Sequence, residues 1–380
     1  MYQDLVTFIR ERYNEPHKFI TLHEAKFIGN ELKYMEECIA TGMVSSVGKF
    51  VDRFEDEIKK YTGAKYAVAT VNGTSALHMA LLLAGVGKND LVITQALTFV
   101  ATCNAISYTG ATPVFVDVSL NNLGMDYLSL ENYLKKNVVL KNGLSTHIIT
   151  GQKIAACVPM HSYGHPAEII KIVELCTAYG IPVIEDAAES LGSTYHGQHT
   201  GTFGKLGIYS FNGNKTITSG GGGMIVTNDE ELAVLGKHLT TQAKSGHRWE
   251  FNHDQVGYNY RLPNINAALG CAQLENIEVI IAKQRELNKI YQQFFNQHNI
   301  AFVNEPSEAR SNCWMNAFYV DNKIERDKCL TFLNDHGIMA RPAWTMLNKL
   351  AMYNTCHCEN LQNSQMVEDT LITIPSTVVL

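Results

Sequence analysis

KYAVATV (65–71), TSALHMALLLAG (74–85), DLVITQ (90–95), FVATCNAISYTG (99–110) and TPVFVDV (112–118) follow one another almost without a break. Short β-branched runs alternate here with amphipathic segments, the βαβ rhythm of a parallel sheet covered by helices. The rhythm resumes in KIAACVP (153–159), PAEIIKIVELCTAYG (166–180), IPVIEDAA (181–188), GIYSFN (207–212) and GGMIVTN (222–228). An α/β fold with a largely parallel sheet is expected, occupying residues 31–262. Beyond it the glycine punctuation thins and long helical patterns such as INAALGCAQLENIEVIIAKQRELNKIYQQFFNQHN (265–299) precede short strand-like pieces, so residues 263–380 are expected to form a smaller α+β domain. Residues 1–30 are expected to pack as an arm.

With 380 residues the chain is long enough for two to three domains, or one large unit with a lobe. Hydrophobic residues make up 46% and charged residues 18%, which excludes disorder as the main state. A net charge of −6 argues against nucleic-acid binding, which needs clustered Lys and Arg to neutralise phosphates. No apolar run reaches the ~18 residues of a membrane span, and the mixed charges of MYQDLVTFIRERYNEPHKF do not suit a signal peptide. A cytoplasmic protein without membrane partners is expected. The nine cysteines are scattered through apolar surroundings, as buried thiols in a reducing compartment would be. Cys356-His357-Cys358 lacks the paired spacings of a zinc site, and no metal is expected.

In parallel sheets ligands sit beyond the carboxyl ends of strands, which directs attention to VNGTSAL, PMHSYGHP, VIEDAAES and YSFNGNK. Asn72-Gly73-Thr74-Ser75 lies between a strand and a helix start, where free backbone N–H groups and hydroxyls favour an anion. A simple cap by Thr74 or Ser75 explains the same residues. Because neither a P-loop lysine nor GxGxxG is present, a small phosphate ester suits the site better than a dinucleotide. Asp186 ends the strand IPVIED beside two alanines, while its neighbour Glu185 should face the other side of the sheet. A buried carboxylate there needs a partner, such as a cationic nitrogen heterocycle, unless it caps the next segment. Lys215 in SFNGNKTITSGGGG stands among small and β-branched residues, where partial desolvation would favour the nucleophilic neutral amine. A plain glycine-rich turn is the alternative.

Taken together, an anion-holding helix start, a carboxylate and a lysine at the carboxyl ends of one sheet match pyridoxal 5'-phosphate (PLP). Its phosphate, its ring nitrogen and its aldehyde need these three groups in turn.

NGTSAL, TFVAT, EDAAESLGS, SFNGNK with its glycines, and GYNYRLPNINAALG resemble the DegT/DnrJ/EryC1/StrS sugar aminotransferases through nearly the whole chain. The resemblance implies the fold type I aminotransferase architecture. It makes Lys215 the Schiff-base lysine and Asp186 the partner of the ring nitrogen. Gly73, Thr74 and Ser210 would hold the phosphate, Phe99 would lie over the ring, and Asn259 would reach the phosphate of a neighbouring subunit in a homodimer. The family commonly has Gln where this chain has Glu189, so a bond to the cofactor hydroxyl is implied with donor and acceptor left open. His161 either lines the pocket or is a structural histidine. Lys49, Arg261 and Arg341 are candidates for a substrate pyrophosphate or the donor carboxylate, with surface salt bridging as the alternative.

GKFVDRFE, SFNGNK and ARPAWTMLNKL look most like the branch that aminates UDP-linked 4-keto-6-deoxy-N-acetylhexosamines, as in bacillosamine and legionaminic acid synthesis. The implied reaction passes an amino group from L-glutamate to C4 of such a nucleotide-linked ketosugar, with GDP- or dTDP-linked sugars as the alternative. A sugar dehydratase of the same family replaces the lysine with histidine, which Lys215 speaks against. The intact lysine, carboxylate and phosphate set also disfavours a non-enzymatic regulator.

Overall fold

A computed structural model describes residues 2–379 of the chain. The β-branched runs form β1 (Tyr66–Thr70), β2 (Leu91–Gln95), β3 (Thr112–Val116), β4 (Ile154–Val158), β5 (Ile184–Asp186), β6 (Leu206–Ser210) and β7 (Gly223–Thr227). They lie side by side in the order β3-β2-β4-β5-β6-β7-β1, with β4 and β5 joined through the parallel bridge Cys157–Val183. All run in one direction except β7, which pairs antiparallel with both β6 and β1. GGMIVTN therefore departs from the parallel pattern expected of it. Residues 211–222 form turns rather than a crossover helix, so the chain returns alongside the strand it has just left.

The helices are α1 (Tyr2–Tyr13), α2 (Glu31–Ala40), α3 (Lys49–Thr62), α4 (Gly73–Leu83), α5 (Val100–Tyr108), α6 (Tyr127–Asn137) and α7 (Ile169–Ala178). After the sheet come α8 (Glu230–Thr240), α9 (Asn264–Leu274), α10 (Ile277–Gln297), α11 (Lys323–Asp335) and α12 (Gln362–Thr370). Apolar on nearly every side, α4 is sunk in the core, with Ala76, Met79, Ala80 and Leu81 inaccessible to solvent. Its first turn is consequently fixed at the carboxyl edge of the sheet. Among the described residues no single helix is long and apolar enough to cross a membrane.

A second, antiparallel sheet of β8 (Asn316–Tyr319), β9 (Arg341–Pro342) and β10 (Leu371–Ile374), ordered β8-β10-β9, builds the smaller lobe. Its core includes Leu5 and Ile9 of α1 beside Phe295, Phe318 and Ile374. Part of the expected arm is thus an integral piece of the small lobe, because α1 presents its apolar stripe to that core. The boundary also differs from the one expected after residue 262. Helix α9 packs on α2 and α3, with Gly270 against the Phe54 ring, and the long α10 spans both cores. Ile277, Ile280 and Ile281 lie in the large-lobe cluster, Leu287, Tyr291 and Phe295 in the other. A continuous amphipathic helix leaves no linker for the sequence to reveal.

Gly207, in the middle of β6, allows the Gly201 turn to approach: a Cβ there would lie 2.0 Å from the Gly201 carbonyl oxygen. Backbone cannot yield as a flexible side chain would. Gly207→Ala should cost about 1–3 kcal/mol, measured by urea denaturation. Gly87→Ala is the control, since a Cβ at that position meets nothing within 4 Å, and should change stability by about 0.5 kcal/mol or less.

Candidate active site

The carboxyl ends of β1, β5 and β6 converge on a cavity of about 210 Å³ whose lining includes Gly73, Thr74, Phe99, Asp186, Glu189, Ser210 and Lys215. At one end, Asn72 leaves β1 in extended conformation and caps α4, its Oδ1 accepting the Ser75 N–H at 2.8 Å. The cap is Asn72, not Thr74 or Ser75. The Gly73 and Thr74 N–H groups fall in the first helical turn, where no intrahelical carbonyl is available, and the helix dipole adds positive potential. A Cβ on Gly73 would sit 2.8 Å from Ser210 Cβ, so glycine lets the Ser210 hydroxyl close on the helix start. Backbone donors and two hydroxyls can together hold a phosphate.

Asp186 ends β5 with 5% exposure. Its Oδ2 accepts from Thr102 Oγ1 at 2.8 Å and its Oδ1 from the Ala188 N–H at 3.2 Å. Burial pushes this carboxyl above its ordinary range, while those two donors, Lys215 and His161 pull the other way. Glu185 projects to the opposite face, as period-two alternation requires. There it accepts from the backbone N–H groups of Gly201, Phe203 and Gly204 at 2.6–2.7 Å, with His161 Nε2 at 3.0 Å. His161 is the structural histidine of the two alternatives. It is fully buried, its Nδ1 accepts the Ala167 N–H at 3.0 Å, and its remaining ring proton therefore serves Glu185 rather than the cavity.

Lys215 stands on the turn after β6, its Nζ 3.2 Å from Glu189 Oε1 and 4.4 Å from the centre of the Trp314 ring. Glu189 is buried, and its other oxygen accepts the Tyr163 N–H at 2.8 Å. Burial raises the Glu189 pKa, Lys215 and the Tyr163 N–H oppose the rise, and the charge of Asp186 adds to it. Trp314 comes from the small lobe and donates through Nε1 to the Asn214 carbonyl at 2.7 Å. Nothing in SNCWMNAFYV marks it as a neighbour of a lysine almost a hundred positions earlier. Thr102 was within reach, since it lies in the quoted TFVAT, but the motif drew attention only to its phenylalanine. Asn212 and Met160 also line the cavity.

Phe99 is half-exposed at the cavity wall rather than packed in the core, so its face is free for a planar ligand. The other candidates lie away from the cavity of their own chain. Asn259 is exposed on an edge segment and accepts from the Arg261 guanidinium at 3.3 Å. Lys49 pairs with Glu37 at 2.5 Å. Arg341 donates to Asn334 Oδ1 and the Ala340 carbonyl.

An amine, a buried carboxylate, a phosphate-holding helix start and an exposed aromatic face around one cavity fit PLP, and the fold and site together define a fold type I PLP-dependent aminotransferase. The chain matches the DegT/DnrJ/EryC1/StrS aminotransferase family over residues 26–380. It is 36% identical over 352 residues to the GDP-perosamine synthase of Escherichia coli O157:H7, covering 93% of this chain and 91% of that protein. It is 37% identical over 339 residues to a putative pyridoxal phosphate-dependent aminotransferase, EpsN, of Bacillus subtilis (strain 168), covering 89% and 84%. The crystal structure of the aminotransferase TlmJ from Streptoalloteichus hindustanus superposes with a TM-score of 0.85 at 25% identity, covering 94% and 93%. The chain belongs to the DegT/DnrJ/EryC1/StrS aminotransferase family and is a PLP-dependent sugar aminotransferase.

Glu185→Ala would leave three N–H groups of the 201–204 turn without their acceptor on the face opposite the cavity. With the Gly201 donor buried and those of Phe203 and Gly204 half-buried, the variant should lose about 2 kcal/mol or more in urea denaturation.

Proposed function

We propose that the enzyme transfers an amino group from L-glutamate to the C4 ketone of a nucleotide-linked 4-keto-6-deoxyhexose, in active sites shared by two subunits. The observation that carries this reading is the gathering of Lys215, Asp186 and the Gly73-Thr74-Ser210 donors at one cavity. Bound PLP supplies an electron sink for the pair left behind when a substrate carbon loses its proton. Asp186 holds negative charge where the ring nitrogen would be protonated. Lys215 would hold the cofactor through its aldehyde, and its amine is placed to take up or give a proton at the reacting carbon of a bound substrate. Glu189 and the Trp314 face give the freed ammonium a resting place in the meantime. Phe99, half-exposed at the cavity wall, would offer its face to the ring.

On the nucleotide, the motif resemblance draws a UDP-linked N-acetylhexosamine, whereas the name of the E. coli relative favours the GDP-linked alternative. We take the GDP-linked sugar as the preferred substrate. A panel of GDP-, UDP- and dTDP-4-keto-6-deoxysugars with L-glutamate, read by mass and NMR, should show kcat/KM for the GDP sugar at least about tenfold above the others, a difference of ~1.4 kcal/mol in transition-state binding. Preference for the UDP sugar would restore the other branch.

Sharing of the sites is supported by Asn259 being exposed and outside the lining of its own chain's cavity, and by the exposed apolar residues near it in sequence, Trp249, Phe251 and Val256, at 71%, 80% and 82% exposure. Lys215→Ala and Asn259→Ala subunits, each severely impaired alone, should complement when mixed. One site of each mixed dimer then combines an intact lysine from one chain with an intact asparagine from the other, so random exchange restores about a quarter of all sites. Activity no higher than the mean of the two parents, after verified exchange, would place Asn259 in its own subunit's site.

A further inference from the structure

Thr98 and Thr102 occupy the two ends of TFVAT, Thr98 just before the Phe99 cap of α5 and Thr102 in its first turn, and their hydroxyls meet while Phe99 between them reaches the cavity wall. Both threonines are inaccessible to solvent. Thr102 Oγ1 lies 2.8 Å from Asp186 Oδ2 and 3.0 Å from Thr98 Oγ1, and Thr98 Oγ1 lies 2.7 Å from Met160 Sδ. Each hydroxyl has one proton to give. An ionised Asp186 can only accept, so the Thr102 proton goes to Oδ2, and Thr98, which also faces Met160 Sδ, can then give its proton to Thr102. A neutral Asp186 could donate to Thr102 instead, which would send the protons outward, from Thr102 to Thr98 and from Thr98 towards the weakly accepting sulfur of Met160. The direction in which Thr102 donates is thus tied to the charge of the carboxylate.

We propose that Thr102, backed by Thr98, is a positioning residue that keeps the Asp186 carboxylate ionised and turned towards the ring-nitrogen position of the cofactor. With Oδ2 held by Thr102 and Oδ1 by the Ala188 N–H, neither oxygen can rotate away without losing a buried hydrogen bond. Each oxygen keeps one lone pair for a further donor. Polarisation by Thr98 strengthens the bond that Thr102 gives. The other charged or titratable groups acting on Asp186 are Lys215, Glu189 and His161. None of them donates a hydrogen bond to its carboxylate in this structure. Among the described side chains Thr102, with Thr98 behind it, is therefore the one that directs it.

The proposal rests on Asp186 serving the cofactor, and its test avoids the sugar altogether so that an error in the nucleotide assignment leaves it untouched. Thr102→Val keeps the shape and removes the donor, Thr102→Ser restores the donor, and Thr98→Val removes only the backing hydroxyl. In cofactor-free protein, loss of the donor raises the native-state pKa of Asp186 further above its unfolded value. The native state then holds its proton to higher pH than the unfolded state, and stability falls more as pH rises. The gap in urea midpoint between Thr102→Val and the parent should consequently widen from pH 5 to pH 8, with Thr102→Ser closing it and Thr98→Val showing a smaller gap of the same sign. In the PLP-loaded protein, the single-turnover rate with the amino donor should fall about tenfold or more in Thr102→Val and recover in Thr102→Ser, the scale of a general acid–base or electrostatic contribution. A stability gap equal at both pH values would overturn the proposal, and so would a donor half-reaction within about twofold of the parent.

Discussion

A carboxylate shut away from water at the end of a parallel strand dominates the large lobe, because its charge must be matched within hydrogen-bonding distance or be lost to protonation. Asp186 meets that demand with Thr102 from α5, the Ala188 N–H from its own turn and the nearby charge of Lys215. Each arrives at a strand end or helix start, and each depends on the parallel order of the sheet to be there. Alternation then sends Glu185 to the other face, where three backbone donors and His161 hold it. One strand of three residues thereby anchors a structural network on one side and a chemical site on the other.

Much of this was legible in the sequence because local chemistry dictated it. A β-branched run followed by NGTS, another by EDAA and a third by FNGNK place their polar residues at strand ends whatever the remainder of the chain does. Features settled by distant packing were not legible. The apolar stripe of α1 is plain in YQDLVTFIRERY, yet that it joins α10 and α11 follows from the whole topology. The reversal of β7 was hidden for a related reason: GGMIVTN has the composition of a buried strand, and strand direction depends on what connects it. His161 and Trp314 make the same point from opposite sides. One sits in a motif that suggests a pocket and faces away from it, and the other sits in an unremarked stretch and faces the lysine.

The small lobe is bound to the site more closely than its separate core suggests. Asn312 Nδ2 donates to the Glu189 and Leu191 carbonyls, and Trp314 adds its ring to Lys215 and its N–H to the Asn214 carbonyl. These bonds run between the 312–314 segment and the two turns that carry Glu189 and Lys215. With α10 continuous through both cores, a hinge between the lobes would have to bend a helix and break buried hydrogen bonds at once. The lobes are for this reason a rigid setting for Lys215.

A rigid setting would suit the two tasks proposed for Lys215. While it is free, its ammonium loses water on entering the cavity wall and must be compensated locally, by the Glu189 carboxylate on one side and the electron-rich indole face on the other. An indole face stabilises the cation without offering a proton acceptor, and Glu189 divides its own charge between Lys215 and the Tyr163 N–H. The amine is thus held in place by a carboxylate on one side and an indole face from the small lobe on the other. These contacts, made by residues from both lobes, fix the amine at the cavity wall where its proposed proton transfers would take place.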